Sequence, residues 1–205
     1  MAFSTILKLS FPADLPEDGR RARSQTSRDK IVAAVLQLIE GGDLSPSAAR
    51  VAEVAGVGLR SVFRHFDDMD SLYQEVSERV SAEVMPLLNE PATGATWKER
   101  LLRLVERRTS IFERIHPFRL SASFKRFRSA FLMEEYRRTL MLEATTVEAL
   151  LPDSILADDL STRSIKVVLG FQNWHALRFE QDLSIEEARE VVTRILGDIL
   201  SRLAD

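Results

Sequence analysis

The chain has 205 residues, 45% of them hydrophobic and 29% charged, with a formal net charge of −3, a composition ordinary for a soluble globular protein with a real core. It contains no cysteine, which excludes disulfides, thiolate metal sites and cysteine nucleophiles. The charge is uneven: residues 20–66 hold eight Lys/Arg against four Asp/Glu, and residues 67–205 hold nineteen against twenty-four, so a basic module precedes an acidic body, as in a polyanion-binding head.

The opening stretch, "MAFSTILKLSFPADLPEDGR", lacks a basic n-region and a clean small-residue cleavage site, and Lys8 interrupts its apolar part. No signal peptide is expected, residues 1–19 read as a flexible extension, and no apolar run approaches the length of a membrane span. The expected location is cytoplasmic. "GRRARSQTSR" then sets Arg20, Arg21, Arg23 and Arg28 in a basic arm before the first helix, where arginines can enter a minor groove or follow phosphates. Thr26 or Ser27 caps that helix, Ile31, Val35, Leu38 and Ile39 share one face of it, and Gly41-Gly42 stops it.

"SPSAARVAEVAG" opens with a Ser cap followed by proline and ends at Gly56. Ala52 lets two helices cross closely, Gly56 accepts the positive φ of a sharp turn, and Val51, Val57 and Val62 bury the inner faces. A second short helix, about residues 58–64, projects Leu59, Arg60, Ser61 and Arg64 outward. That is the pattern of a helix-turn-helix whose second helix suits a major groove.

The aspartates of "DDMDSLYQEVSERVSAEVMPLL" begin a helix that ends near Pro86, and "NEPATGAT" is a linker. Trp97, Leu101, Leu104, Val105, Ile111, Phe112 and Ile115 mark the next helix, which Pro117 is expected to break. Phe118, Phe124, Phe127 and Phe131 fall in a shorter helical region. Tyr136, Leu140, Val147 and Leu150 belong to a longer one closed by Pro152. The last two helices are expected over residues 160–180 and 185–203. With no alternating strand pattern, the fold class is all-α: a three-helix head over residues 20–68 and a helical body over residues 69–205.

"SAARVAEVAGVGLRSVFRHFDDMDSL" resembles the N-terminal signature of the TetR family of transcriptional regulators. Ser47 stands for the family's threonine and Val51-Ala52 for its isoleucine-alanine. Ala55-Gly56-Val57, His65-Phe66 and Leu72 match it. Gly58, Phe63 and Met69 depart from it, replacing a serine, a tyrosine and a lysine; the latter two usually reach phosphates. The resemblance implies operator DNA as a partner; taken with the basic arm and the outward face of the second short helix, the candidate DNA-binding residues are Arg20, Arg21, Arg23, Arg28, Ser47, Gly58, Leu59, Arg60, Ser61, Phe63, Arg64 and His65. It also implies a body that binds a small-molecule inducer and forms a homodimer. Separately, the sequence has no phosphate-binding glycine loop and no G-x-S-x-G elbow, so no enzymatic activity, cofactor or metal is expected.

Candidate ligand-binding residues are the aromatic set Phe112, Phe118, Phe124, Phe127, Phe131, Tyr136 and Trp174, with Asn173 and His175 as polar orienters. Candidate dimer residues are Ile165, Val168, Leu169, Gln172, Ala176, Phe179, Ala188, Val192, Ile195 and Ile199, because the last two helices carry more apolar surface than one monomer core needs. Glu113 and His116 form an E-x-x-H without the second copy that a di-metal bundle requires. The sequence therefore reads as a ligand-responsive repressor; the competing reading is a helical small-molecule-binding dimer whose head no longer reads DNA.

Overall fold

The computed structural model describes the backbone of residues 17–204 and the side chains of residues 24–204. The chain runs α1 (Glu17–Glu40), α2 (Ala48–Ala55), α3 (Leu59–His65), α4 (Met69–Leu88), α5 (Trp97–Lys125), α6 (Ala130–Glu148), α7 (Asp153–Leu156), α8 (Asp159–Val168), α9 (Phe171–His175), one π turn (Ala176–Glu180) and α10 (Ile185–Leu200). No strand occurs among the described residues, so the fold is all-α.

Helix starts follow side-chain chemistry. Ser47, Thr96, Ser129 and Asp158 each accept a hydrogen bond from a first-turn amide of α2, α5, α6 and α8. Asp68 with Ser71, and Ser184 with Glu187, form reciprocal capping boxes on α4 and α10. Each such cap is worth about 1 kcal/mol.

Three expectations about helix limits are corrected. First, α1 starts at Glu17 rather than at a Thr26 or Ser27 cap. No glycine or proline lies between Arg20 and Glu40, and the Arg-, Ala- and Gln-rich run propagates helix readily. The basic segment is therefore part of α1, not an arm before it.

Second, α5 continues through Pro117. An interior proline costs about 3 kcal/mol, but the two halves of α5 are anchored in different places. Ile111 and Phe112 are buried in the body core, while Phe118 and Ala122 pack against the head core. The Ser121 hydroxyl also donates to the Leu44 carbonyl at 2.8 Å. Burial of one large apolar side chain contributes about 1.5–3 kcal/mol, so several such anchors outweigh the proline.

Third, the helix expected over residues 160–180 is broken at Leu169-Gly170. Gly170 is extended (φ −81, ψ 153), and the backbone groups freed by the break are taken up by side chains from other helices. Arg108 donates to the Leu169 carbonyl, and the Phe171 amide donates to Glu143 Oε2 at 3.2 Å. A buried break with its polar groups satisfied is stable.

Two hydrophobic clusters result. One gathers Ile31, Val35, Val51, Val62, Phe66, Leu72 and Val76 of α1–α4 and reaches Leu132 of α6. The other joins Leu101, Leu104, Phe112, Val147, Ile165, Trp174, Val192 and Leu196 across α5–α10. α4 serves both, with Leu72 to Val80 in the first and Val84 in the second.

Candidate nucleic-acid interface and ligand cavity

The turn between α2 and α3 is set by Gly56, at φ 65 and ψ 34. Its amide donates to the Glu53 carbonyl at 3.1 Å and the Val57 amide to the Ala52 carbonyl at 3.0 Å, which is a Schellman closure needing a left-handed residue. α3 then buries Val62, at 1% exposure, and turns Leu59, Arg60, Phe63 and Arg64 to solvent. Arg60 and Arg64 form no ion pair among the described residues. Leu59 and Phe63 are 45% and 52% exposed, so the outer face alternates cation and apolar surface. Ser61 is half-buried. Gly58 is the exposed residue before the helix, without a side-chain cap. Exposed Ser47 is the cap of α2.

Two residues expected at the DNA surface, Arg28 and His65, are only partly exposed. Arg28 binds Glu75 through Nε at 2.6 Å, donates to the His65 carbonyl at 2.7 Å and lies 4.3 Å over the Phe66 ring. It braces α1 against the end of α3 and against α4. His65 is half-buried, its Nε2 has no hydrogen-bond partner, and burial lowers its pKa, with Arg64 and Arg28 acting in the same direction. The side chains of Arg20, Arg21 and Arg23 lie outside the described residues. Met69 opens α4 half-buried against the head core.

In the body, a cavity of about 550 Å³ lies among α4, α5, α6 and α9, well within the size range of small-molecule sites. Of the expected ligand-binding residues, Phe112, Phe118, Tyr136 and His175 line it. Phe124 and Phe127 do not; they are 65% and 75% exposed. Phe131 packs on the head core. Asn173 donates to the Val168 carbonyl at 2.9 Å, and buried Trp174 donates to Glu113 Oε1 at 2.8 Å. None of those three lines the cavity.

The wall also holds residues that sequence reasoning missed, chiefly Tyr73, Arg108, Arg119 and Glu143. Arg108 is 6% exposed and donates to the carbonyls of Leu169 and Glu143. Burial lowers its pKa to about 10. A signal was available: Arg108 falls on the apolar stripe of Leu104, Val105, Ile111 and Phe112, where a charge needs a reason. Arg119 pairs with Glu143, lies 4.0 Å over the Phe171 ring and leaves Nη2 buried without a partner. Tyr73 accepts a hydrogen bond from Lys125, and burial, reinforced by Asp43 and Asp70, raises its pKa to about 12.

Next to the cavity, His116 Nε2 and His175 Nδ1 are 2.9 Å apart, and the His116 ring stacks on Phe179 at 3.5 Å between centroids. Burial, then the neighbouring His175, pushes the pKa of His116 down to about 4, so it is neutral near pH 7. Glu113 is held by Trp174 and by both Nε and Nη2 of Arg178, at 2.9 and 3.2 Å. It is not directed at His116 as a co-ligand. Among the described residues, no three His, Cys, Asp or Glu side chains gather as a metal site would require.

Of the expected dimer residues, Ile165, Leu169, Ala188, Val192 and Val168 are buried in the chain's own core. They have no surface to give a second copy. Gln172, Phe179 and Ile195 are exposed, while Ala176 and Ile199 are half-buried. The expected stripe thus mixes inward residues, which the chain's own core uses, with outward ones such as Phe179 and Ile195. The exposed apolar side chains of α8 are Leu160 and Val167, at 77% and 68%.

No protein-family model matches the chain, and no curated protein matches it in sequence. Its fold is similar to the crystal structure of a transcriptional regulator from Rhodococcus sp. Rha1, with a TM-score of 0.63 and 19% identity over 85% of this chain and 96% of that one. The likeness is one of fold. Among the described residues, no helix is long and apolar enough to cross a membrane.

Proposed function

We propose that the chain is a transcriptional regulator of TetR type: a homodimeric repressor that binds operator DNA through α3 and is released by a small molecule in the body cavity. The observation that carries this reading is the outer face of α3, where Arg60 and Arg64 stand exposed beside exposed Leu59 and Phe63. Arginine matches guanine edges or phosphates, and an apolar neighbour suits a thymine methyl. Nothing in the monomer's own core accounts for a basic and apolar face on one seven-residue helix. The regulator fold of the structural neighbour supports the same reading.

The dimer would pair through the outer faces of α8 and α10, where Leu160, Val167 and Ile195 remain exposed. A two-fold dimer presents two copies of α3 to successive major grooves. Release follows if the ligand-bound body favours a spacing of the heads that no longer fits. Binding to genomic fragments upstream of the gene, titrated with salt, tests the reading. A specific complex should weaken as salt rises, and Arg60→Ala with Arg64→Ala should abolish its preference over random DNA. Equal binding of both proteins to both DNAs would remove α3 as the reader.

A further inference from the structure

We propose that the cavity's ligand is an amphipathic carboxylate, an apolar acid whose anionic end is taken by the arginines of the wall. The inference rests on the ligand-responsive reading above and specifies its ligand class. The wall holds Arg107, Arg108, Arg119, Arg126 and Arg138 against only Glu135 and Glu143. Arg138 takes Glu135 at 3.1 Å and Arg119 takes Glu143, which leaves three guanidiniums without a carboxylate.

The direct contacts of those three are all to neutral groups, although the Glu143 carboxylate is near enough to act on Arg108. Arg107 donates to the Glu90 carbonyl, and Arg108 to the carbonyls of Leu169 and Glu143. Arg126 lies 4.2 Å over the Tyr136 ring and 4.9 Å over that of Phe127, with no ion pair among the described residues. Carbonyl and ring contacts orient a guanidinium but do not neutralise it. A second observation is independent of this count: Arg119 Nη2 is a buried donor with no acceptor.

Uncompensated positive charge beside low-dielectric walls attracts an anion and repels a cation. A carboxylate matches the guanidinium fork with two parallel hydrogen bonds. The rest of the wall, including Val76, Val80, Leu104 and Ile111, offers apolar surface that a multiply charged ligand would leave unused. An apolar body with one anionic end satisfies both parts of the wall.

Calorimetry on the intact protein, without DNA, compares two isosteric pairs: 2-naphthoate with 2-naphthamide, and octanoate with octanamide. In at least one pair the anion should bind about tenfold or more tightly than its amide, as a charge-assisted bidentate contact implies. That preference should fall at least about fivefold in Arg126→Met or in the double variant Arg119→Met/Glu143→Gln, since each removes a charge-assisted partner. The double variant avoids stranding Glu143 as an unpaired buried anion, and melting curves verify folding of both proteins. Amides binding as tightly as the acids would overturn the proposal, as would an undiminished preference in both variants or no binding by any probe up to about 1 mM. DNA binding of the ligand-free protein is measured in parallel. If it persists while the acids fail, the ligand class alone is wrong; acid binding without DNA binding would instead remove the regulator reading.

Discussion

On α3, Arg60 and Arg64 are exposed and unpaired among the described residues, whereas Arg108 and Arg178 in the body are wrapped over backbone carbonyls and the Glu113 carboxylate. The difference lies in hydration. An exposed guanidinium keeps its water until a phosphate or base edge replaces it. A buried one must meet fixed acceptors during folding, because an unpaired buried charge is too costly. Arg28 is half-exposed yet also held in place, since Glu75, the His65 carbonyl and the Phe66 ring all contact it. Counting cations along the chain locates a basic segment; the acceptors around each cation determine what it does.

The strongest way to break this contrast is at Arg108. Arg108→Met should lower unfolding free energy by about 3 kcal/mol or more, since two hydrogen bonds from a charged donor are lost at about 1.5–3 kcal/mol each. Urea unfolding measures it, and a loss below about 1 kcal/mol would show that the break at Leu169-Gly170 does not depend on this side chain. Arg60→Ala should do the reverse. Specific DNA binding should fall by about 1–3 kcal/mol, with stability unchanged within about 0.5 kcal/mol, as for exposed residues generally. An equal drop in stability would place Arg60 among the structural arginines.

A smaller effect is expected at the turn that presents α3. A Cβ at Gly56 would meet nothing within 4 Å, so Gly56→Ala tests backbone conformation alone, at about 1–2 kcal/mol. Gly56→Asn should recover part of it, because asparagine tolerates the left-handed region. Smallest at neutral pH is the effect of His116. Its folded pKa of about 4 lies below the ordinary value of 6.5, so the unfolded chain binds the extra proton between those limits. Stability should therefore fall as pH drops from 6.5 towards 4 and level off below. His116→Gln, which cannot titrate, should flatten that part of the curve. An unchanged slope would assign it to other groups.

The head was more legible in the sequence than the cavity, for a physical reason. Ser47, Ala52, Gly56 and Val62 act through neighbours a few residues away, so their spacing carries the turn. Whether Phe118 lines a cavity while Phe124 faces solvent is settled by helices distant in sequence, and period alone assigned both to one set. Pro117 looked like a terminator because its cost is local, while the packing that offsets it is not. The Leu169-Gly170 break was missed for a related reason: its stabilising partners, Arg108 and Glu143, come from α5 and α6.

α4 is anchored at both ends by different cores, with Leu72 near its start packed in the head and Val84 near its end packed in the body. As a rigid rod, the stretch from Met69 to Val84 is about 22 Å long at about 1.5 Å per residue. A tilt of about 5° pivoting at Val84 swings its head-side end through about 2 Å by that length. In a two-fold dimer the displacement doubles, to about 4 Å, roughly the rise of one base pair out of the 34 Å between successive major grooves. A side chain displaced along the cavity face of α4, at Val76 or Val80, thus has enough mechanical advantage to put the paired α3 helices out of step with the DNA by one rung.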